Sequence, residues 1–230
     1  GITRNLTNTN GNHDRNAEWS PDGKYVGFIS DMTGEYEIYI QKSDGSEPPV
    51  QLTKKNGNYK YRLKWSPDSK KIIWSDKLMR LQFVDIESKK ITLVNKSKIW
   101  EYSHFNWSPD SKWIVYTDPM RNGMGLITLY NLEDKSNTVI TSEWYNSRSA
   151  VFDADGNYIA FVSDRDFTPI YSQTEWNHAY RNMSGIYLIA LNKDVKNPLA
   201  PSNDEVEAKV EDKANKKEGK AEEKAEKSTD

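Results

Sequence analysis

A five-residue turn that occurs four times, flanking runs rich in Val, Ile, Tyr, Phe and Trp, and four such runs per period predict an all-β fold: a β-propeller of four-stranded blades. The turn reads WSPDG at Trp19 to Gly23, WSPDS at Trp65 to Ser69 and WSPDS at Trp107 to Ser111. A degraded copy, FDADG, follows at Phe152 to Gly156, and successive copies lie 42 to 46 residues apart. A hydroxyl beside a carboxylate in a tight turn suggests a reactive pair. A catalytic motif, however, has no reason to recur at a fixed period, whereas a structural unit does.

Each element of the blade follows from residue type. The first strand runs into the Trp, because LTNTNGNHDRNAEW at Leu6 to Trp19 lies over LTKKNGNYKYRLKW at Leu52 to Trp65 without a gap. The second follows the turn as KYVGFISD, KKIIWSD, KWIVYTD and NYIAFVSD. The third is EIYIQ, LQFVD, LITLYN and GIYLIA, and a short fourth is seen in PVQLT at Pro49 to Thr53. These runs are β-branched and aromatic, and Gly, Asp, Ser and Asn bound them. Tyr25 to Ile29 shows no polar alternation, which predicts a strand covered on both faces.

In the turns, Pro21 fixes φ and Asp22 with Gly23 supplies the rest of the turn chemistry; Asp68, Asp110 and Asp155 repeat the carboxylate. Trp19, Trp65, Trp107 and Phe152 are large enough to fill the wedge between neighbouring blades. Asp31, Asp76, Asp118 and Asp164, at the ends of the second strands, are expected to accept hydrogen bonds from loop amides.

The W-S-P-D-G turn, the apolar strand after it and the following D...G...IY resemble the propeller repeats of TolB and of the tricorn protease N-terminal region, a WD-type repeat. The resemblance covers Leu6 to Leu191. It implies a non-catalytic propeller of a tricorn-like serine protease, serving to gate or channel substrate peptide or to hold the assembly together. Its implied partners are a peptide substrate or other domains of the same chain, and a homo-oligomer of the parent is compatible with it. A cytoplasmic location is implied, with a periplasmic one as the alternative. Two other readings belong to different classes: a TolB-like protein-interaction module of the bacterial envelope, and the propeller cap of a prolyl-oligopeptidase-type hydrolase. The families resembled usually have six or more blades, so the four blades seen are expected to be part of a six-bladed ring with about two blades before Gly1. The other arrangement is closure, in which Ile2 to Leu6 pairs as the fourth strand of the last blade.

Composition narrows the partners. The chain of 230 residues is 36% hydrophobic and 12% aromatic, with net charge −2 and no Cys. No basic face is implied and nucleic acid is not an expected partner. Disulfides and thiolate chemistry are excluded, while the compartment stays open. No run of 18 apolar residues occurs, so no membrane span is expected. The mean hydropathy of −0.88 is lowered locally. Residues 202–230 hold 10 acids, 7 lysines and no aromatic residue. Such a segment is expected to be a disordered linker following a propeller at residues 1–201.

No catalytic residue is expected in this chain: it has no G-x-S-x-G elbow, no H-E-x-x-H and no glycine-rich phosphate loop. No cofactor is implied. DADG at Asp153 to Gly156 looks like the start of a calcium loop, but no Glu closes it and the alignment makes it the fourth turn, so no metal is expected. His13 and His104 read as ordinary blade residues. One segment departs from the repeat: RDFTPIYSQTEWNHAYRNMS stands where the first blade has only MTGEY. Its Phe167, Tyr171, Trp176, His178, Tyr180 and Arg181 form the candidate binding loop, since long loops on a rigid scaffold often carry function. The same aromatics also suit a purely structural role, sealing the last blade.

Removing residues 202–230 is expected to leave the thermal melt nearly unchanged. Calorimetry of the truncated chain checks this, and a large fall in Tm counts against a linker.

Overall fold

The computed structural model describes residues 3, 5–54, 58–166, 168–170 and 179–201, the last of its hairpin residues (168–170 and 179–180) by backbone alone. Among the described residues there is no helix; the chain is built of antiparallel sheets in meander order. The first blade is β1 (Arg15–Trp19), β2 (Tyr25–Ser30), β3 (Glu37–Lys42) and β4 (Val50–Gln51). The second is β5 (Lys60–Trp65), β6 (Lys71–Asp76), β7 (Arg80–Asp85) and β8 (Ile91–Lys96). The third is β9 (Phe105–Trp107), β10 (Trp113–Pro119), β11 (Gly125–Asn131) and β12 (Ser136–Val139). In the fourth, β13 (Asn146–Phe152) and β14 (Tyr158–Asp164) pair with β17 (Ser184–Ala190), giving three strands among the described residues. The insert between β14 and β17 carries its own two-stranded ribbon, β15 (Thr168–Ile170) and β16 (Ala179–Arg181). The all-β blade architecture expected from the repeat is therefore the fold. As the lack of alternation in its sequence requires, β2 is buried along both faces after Tyr25.

The recurring turn is a small hydrogen-bonded knot. Ser20 Oγ donates to Asp22 Oδ1 at 2.6 Å and accepts the Tyr25 amide at 2.9 Å, while Asp22 also accepts the Lys24 amide at 3.1 Å. Ser66 with Asp68 and Ser108 with Asp110 repeat the hydroxyl-to-carboxylate bond at 2.5 Å each. In the fourth turn Asp153 replaces the serine and accepts the Tyr158 amide at 2.8 Å, but an ionised carboxylate has no proton to pass on to Asp155. The last turn residue is left-handed in every copy, with φ of 72° at Gly23, 59° at Ser69, 60° at Ser111 and 72° at Gly156. Serine is disfavoured there. The two serines offset this by reaching across the seam: Ser69 Oγ accepts the Asp22 amide and Ser111 Oγ accepts the Asp68 amide, each at 3.0 Å.

The tryptophans fill the seams. Trp65 is buried between the first two blades, donates its indole N–H to the Glu18 carbonyl at 3.0 Å and lies flat against Gly27. A Cβ at Gly27 would come within 2.9 Å of Trp65 Nε1, so the close approach requires glycine. Trp107 repeats the arrangement one blade on, with its N–H toward the Lys64 carbonyl at 3.4 Å and its ring edge-on to Phe83. Trp19, expected in the same wedge, is 61% exposed. Among the described residues no earlier blade offers it a carbonyl and a sheet face.

Apolar side chains from facing strands build one core per seam. Ile29, Ile38, Ile72 and Trp74 sit in the first, Ile73, Phe83, Ile114 and Tyr130 in the second, and Val115, Ile127, Ile159 and Phe161 in the third. One ion pair is sealed into the first seam, Lys60 Nζ to Glu37 Oε2 at 3.0 Å, with both side chains almost fully buried. Lys60 also donates to the Tyr36 carbonyl at 2.5 Å, and Thr53 donates to Glu37. Such a pair adds little net stability but is expensive to break, so it fixes how the two blades register.

Two substitutions probe the first seam. Trp65→Ala is expected to lower stability by about 3–5 kcal/mol as a core truncation, and Gly27→Ala by about 1–3 kcal/mol through overpacking. In urea denaturation the Gly27→Ala penalty should largely vanish in the Trp65→Ala background. Additive effects would mean that the indole does not define the space at Gly27.

Candidate functional site

Blades meet through their first strands, the ones that face the axis of a propeller. Asn16 Nδ2 donates to the Tyr61 carbonyl at 2.6 Å, and the Arg15 guanidinium donates to the Lys60 carbonyl. Lys64 Nζ donates to Asn106 Oδ1 at 2.5 Å, and Asn106 Nδ2 passes on to the Ala150 carbonyl at 2.8 Å. Register shifts in β1, β5 and β13 place an extra residue in each inner strand, with Asn16 and Ser149 at positive φ. Bulges of this kind re-aim side chains, and Asn16 thereby reaches across the seam to the Tyr61 carbonyl.

Strand direction puts the β2–β3 and β4–β5 connections, and their equivalents in later blades, at one end of the molecule, opposite the WSPDG turns. At that end the first two blades form a continuous aromatic ridge. The Arg15 guanidinium lies 3.8 Å from the Tyr59 ring centre and 4.5 Å from that of Tyr36, and donates to Tyr59 Oη at 2.6 Å. Tyr36 and Tyr59 pack edge to face at 5.2 Å, and Tyr59 and Tyr61 at 5.3 Å. His13 caps the ridge, with Nδ1 and Tyr36 Oη 3.0 Å apart. Tyr61 Oη donates to Glu101 at 2.9 Å. There the ridge opens into a cleft of about 240 Å³ lined by Tyr61, Arg62, Trp100, Glu101 and Tyr102. Trp100 is 67% exposed, and Trp144 in the next connection is 85% exposed.

The electrostatics of the inner strands are cationic. Burial, followed by the charges of Arg62, Lys64 and Arg148, holds the His104 pKa below the usual histidine value, so the imidazole is biased toward its neutral form. Burial also lowers the pKa of Lys64 and raises that of Glu18, two groups that attract each other across the first seam. Such a surface suits carboxylates and peptide carbonyls. On the fourth blade Arg165 lies 4.1 Å from the Tyr187 ring centre and 5.2 Å from that of Tyr145. Among the described residues no three His, Asp or Glu side chains converge where a metal could be held.

The sequence-expected residues separate into four groups. Asp22, Asp68 and Asp110 sit in the turns as serine-bonded acceptors, and Asp155 lacks that bond. Phe152 lies half-buried in the third seam. Of the candidate loop, Phe167, Tyr171, Trp176 and His178 fall outside the described residues, while Tyr180 and the exposed Arg181 belong to β16. Of the four second-strand aspartates, Asp31 and Asp76 accept amides, from His13 and from Leu78 and Arg80. Asp118 and Asp164 instead bind side chains, Asn95 and Tyr102 in one case and Asn146, Arg148 and Ser184 in the other. Sequence reasoning missed Arg15, Tyr36, Tyr59, Tyr61 and Trp100. The available signal was an aromatic pair at or just before the start of the first strand in blades two to four: NYKY, IWEY and EWYN.

Residues 1–229 match the family model described as the tricorn protease second beta propeller domain. No curated protein matches the sequence. The crystal structure of the tricorn protease superposes with a TM-score of 0.73 at 21% identity, covering 81% of this chain and 18% of that one. A TolB-assigned structure from Agrobacterium tumefaciens gives a TM-score of 0.53 at 22% identity, over 77% and 62% of the two chains. TolB from Acinetobacter baumannii gives 0.51 at 20% identity, over 78% and 44%. The chain thus spans less than two thirds of each, and at these identities the likeness shows the fold. The tricorn-type resemblance holds, with one correction of place: the matching propeller is the second, where the N-terminal one was expected. With blades, seams and family model in agreement, the chain belongs to the tricorn protease second β-propeller family.

Proposed function

We propose that this propeller is a non-catalytic segment of a tricorn-like serine protease and that it receives extended peptide on its way to or from a catalytic domain. The observation that carries this reading is the ridge of Arg15, Tyr36, Tyr59 and Tyr61 running into the Trp100 cleft. Aromatic faces held rigid by a stacked guanidinium bind extended chain with little loss of side-chain entropy. The cationic inner strands beside them attract the peptide's carboxylates and carbonyls. By residue type alone, Phe167, Tyr171, Trp176, His178, Tyr180 and Arg181 of the insert are proposed as further contacts to the same peptide. The alternative partner for that surface is another domain of the same parent chain, in an assembly role.

Trp100→Ala and Tyr59→Ala are each expected to weaken binding of an extended peptide by roughly tenfold or more. Their stability should change by no more than about 0.5 kcal/mol for Trp100, an exposed side chain. Fluorescence anisotropy with labelled peptides and a parallel melt check both; unchanged affinity with a lowered Tm would make the ridge a packing feature. The chain itself is expected not to hydrolyse chromogenic peptides. Turnover abolished by a point substitution within it would overturn the non-catalytic assignment.

A further inference from the structure

The fourth copy of the turn departs from the other three, and the seam it forms departs with it. At the second seam Phe83 and Trp107 meet edge to face at 5.8 Å, and Ser111 Oγ ties the turns together. Repeat alignment puts Leu129, Phe152 and Gly156 at those three positions in the third seam. Each is smaller than its counterpart, and glycine has no hydroxyl to bridge with. The missing volume opens as a cavity of about 430 Å³ at the turn end, walled by Pro109, Trp113, Leu129, Phe152 and Leu191. This lies within the size range of about 300–1,000 Å³ typical of ligand pockets.

Two carboxylates, Asp110 and Asp155, stand in the same wall. Their counterparts have cations nearby: Asp22 has Lys24 at 3.5 Å and Asp68 has Lys71 at 3.4 Å. Trp113 occupies the place of Lys71 in the third blade, so Asp110 keeps its serine bond but has no ion pair among the described residues. Asp155 has also lost its hydroxyl donor, because Asp153 stands where the other turns have serine. Asp110 and Asp155 therefore stand at the edge of the cavity without an ion pair among the described residues.

We propose that this cavity binds an arginine side chain presented by a polypeptide. Its aliphatic stem lies along Pro109, Leu129 and Leu191, and its guanidinium stacks on Trp113 or Phe152 while pairing with Asp110 and Asp155. Arginine fits better than lysine because its planar, weakly hydrated head stacks on aromatic faces and pairs with carboxylates in a fork. Two carboxylates among apolar walls fall far short of the six to eight oxygens a calcium ion takes. The site lies at the end opposite the aromatic ridge and does not depend on the role proposed for it.

The test titrates the full chain with a blocked Ala-Arg-Ala peptide, with the same peptide carrying citrulline, and with butylguanidine, following the Trp113 indole N–H by NMR. Saturable shifts with the arginine peptide are expected, with at least about tenfold weaker binding of the neutral citrulline peptide. Asp155→Asn should weaken the arginine peptide by about tenfold without moving Tm, since this carboxylate is exposed. The pair Leu129→Phe and Phe152→Trp, which restores the side chains of the second seam, should abolish binding. Equal binding of the citrulline peptide, binding retained by the filled variant, or no saturation at millimolar peptide would overturn the proposal. Butylguanidine binding as tightly as the peptide would overturn the polypeptide as occupant.

Discussion

The indole of Trp65 holds two blades in register through one N–H and one ring face. Its N–H needs the Glu18 carbonyl of the preceding inner strand, and its ring needs the bare backbone at Gly27. Meeting both demands fixes how far the second sheet is rotated and raised against the first. The inner-strand bonds, the Ser69 bridge and the burial of Lys60 with Glu37 all require that placement. Trp107 repeats the contact with a longer bond, 3.4 Å, and a different floor, Ile73 in place of glycine. The seam is thus the unit of stability, as in other repeat architectures where each repeat contacts only its neighbours.

Much of this was legible in the amino-acid sequence because the repeat is dense with short-range chemistry. Turn and strand order follow from WSPDG and from the apolar runs. The exposure of Trp19 was not legible, since burial of a seam residue depends on a neighbouring sheet and not on the residue's own surroundings. The ridge escaped for a related reason. Arg15, Tyr36 and Tyr59 are scattered over more than 40 residues and meet only when two blades close on each other. Side-chain partners also replaced the expected amide partners of Asp118 and Asp164, because Tyr102 from the connection before β9 and Arg148 from β13 reach those carboxylates.

The two ends of the molecule differ in chemistry although one repeat builds both. At the connection end, aromatic rings and guanidinium groups dominate, and tyrosine hydroxyls lock them to one another and to Glu101. At the turn end, serine and aspartate recur, and there the backbone consumes most of the polar capacity. Variation tolerated at the first end alters a surface, whereas variation at the second alters a seam.

The left-handed serines give that difference a mechanical side. Ser69 and Ser111 accept an unfavourable backbone angle and return a bond to the blade before them, but Gly156 takes the relaxed angle and returns nothing. Cohesion therefore grades along the chain: the first two seams are latched by both an indole and a hydroxyl, and the third by neither. The first three blades thus form one latched frame, and the fourth is joined to it, among the described residues, by packing and inner-strand bonds alone.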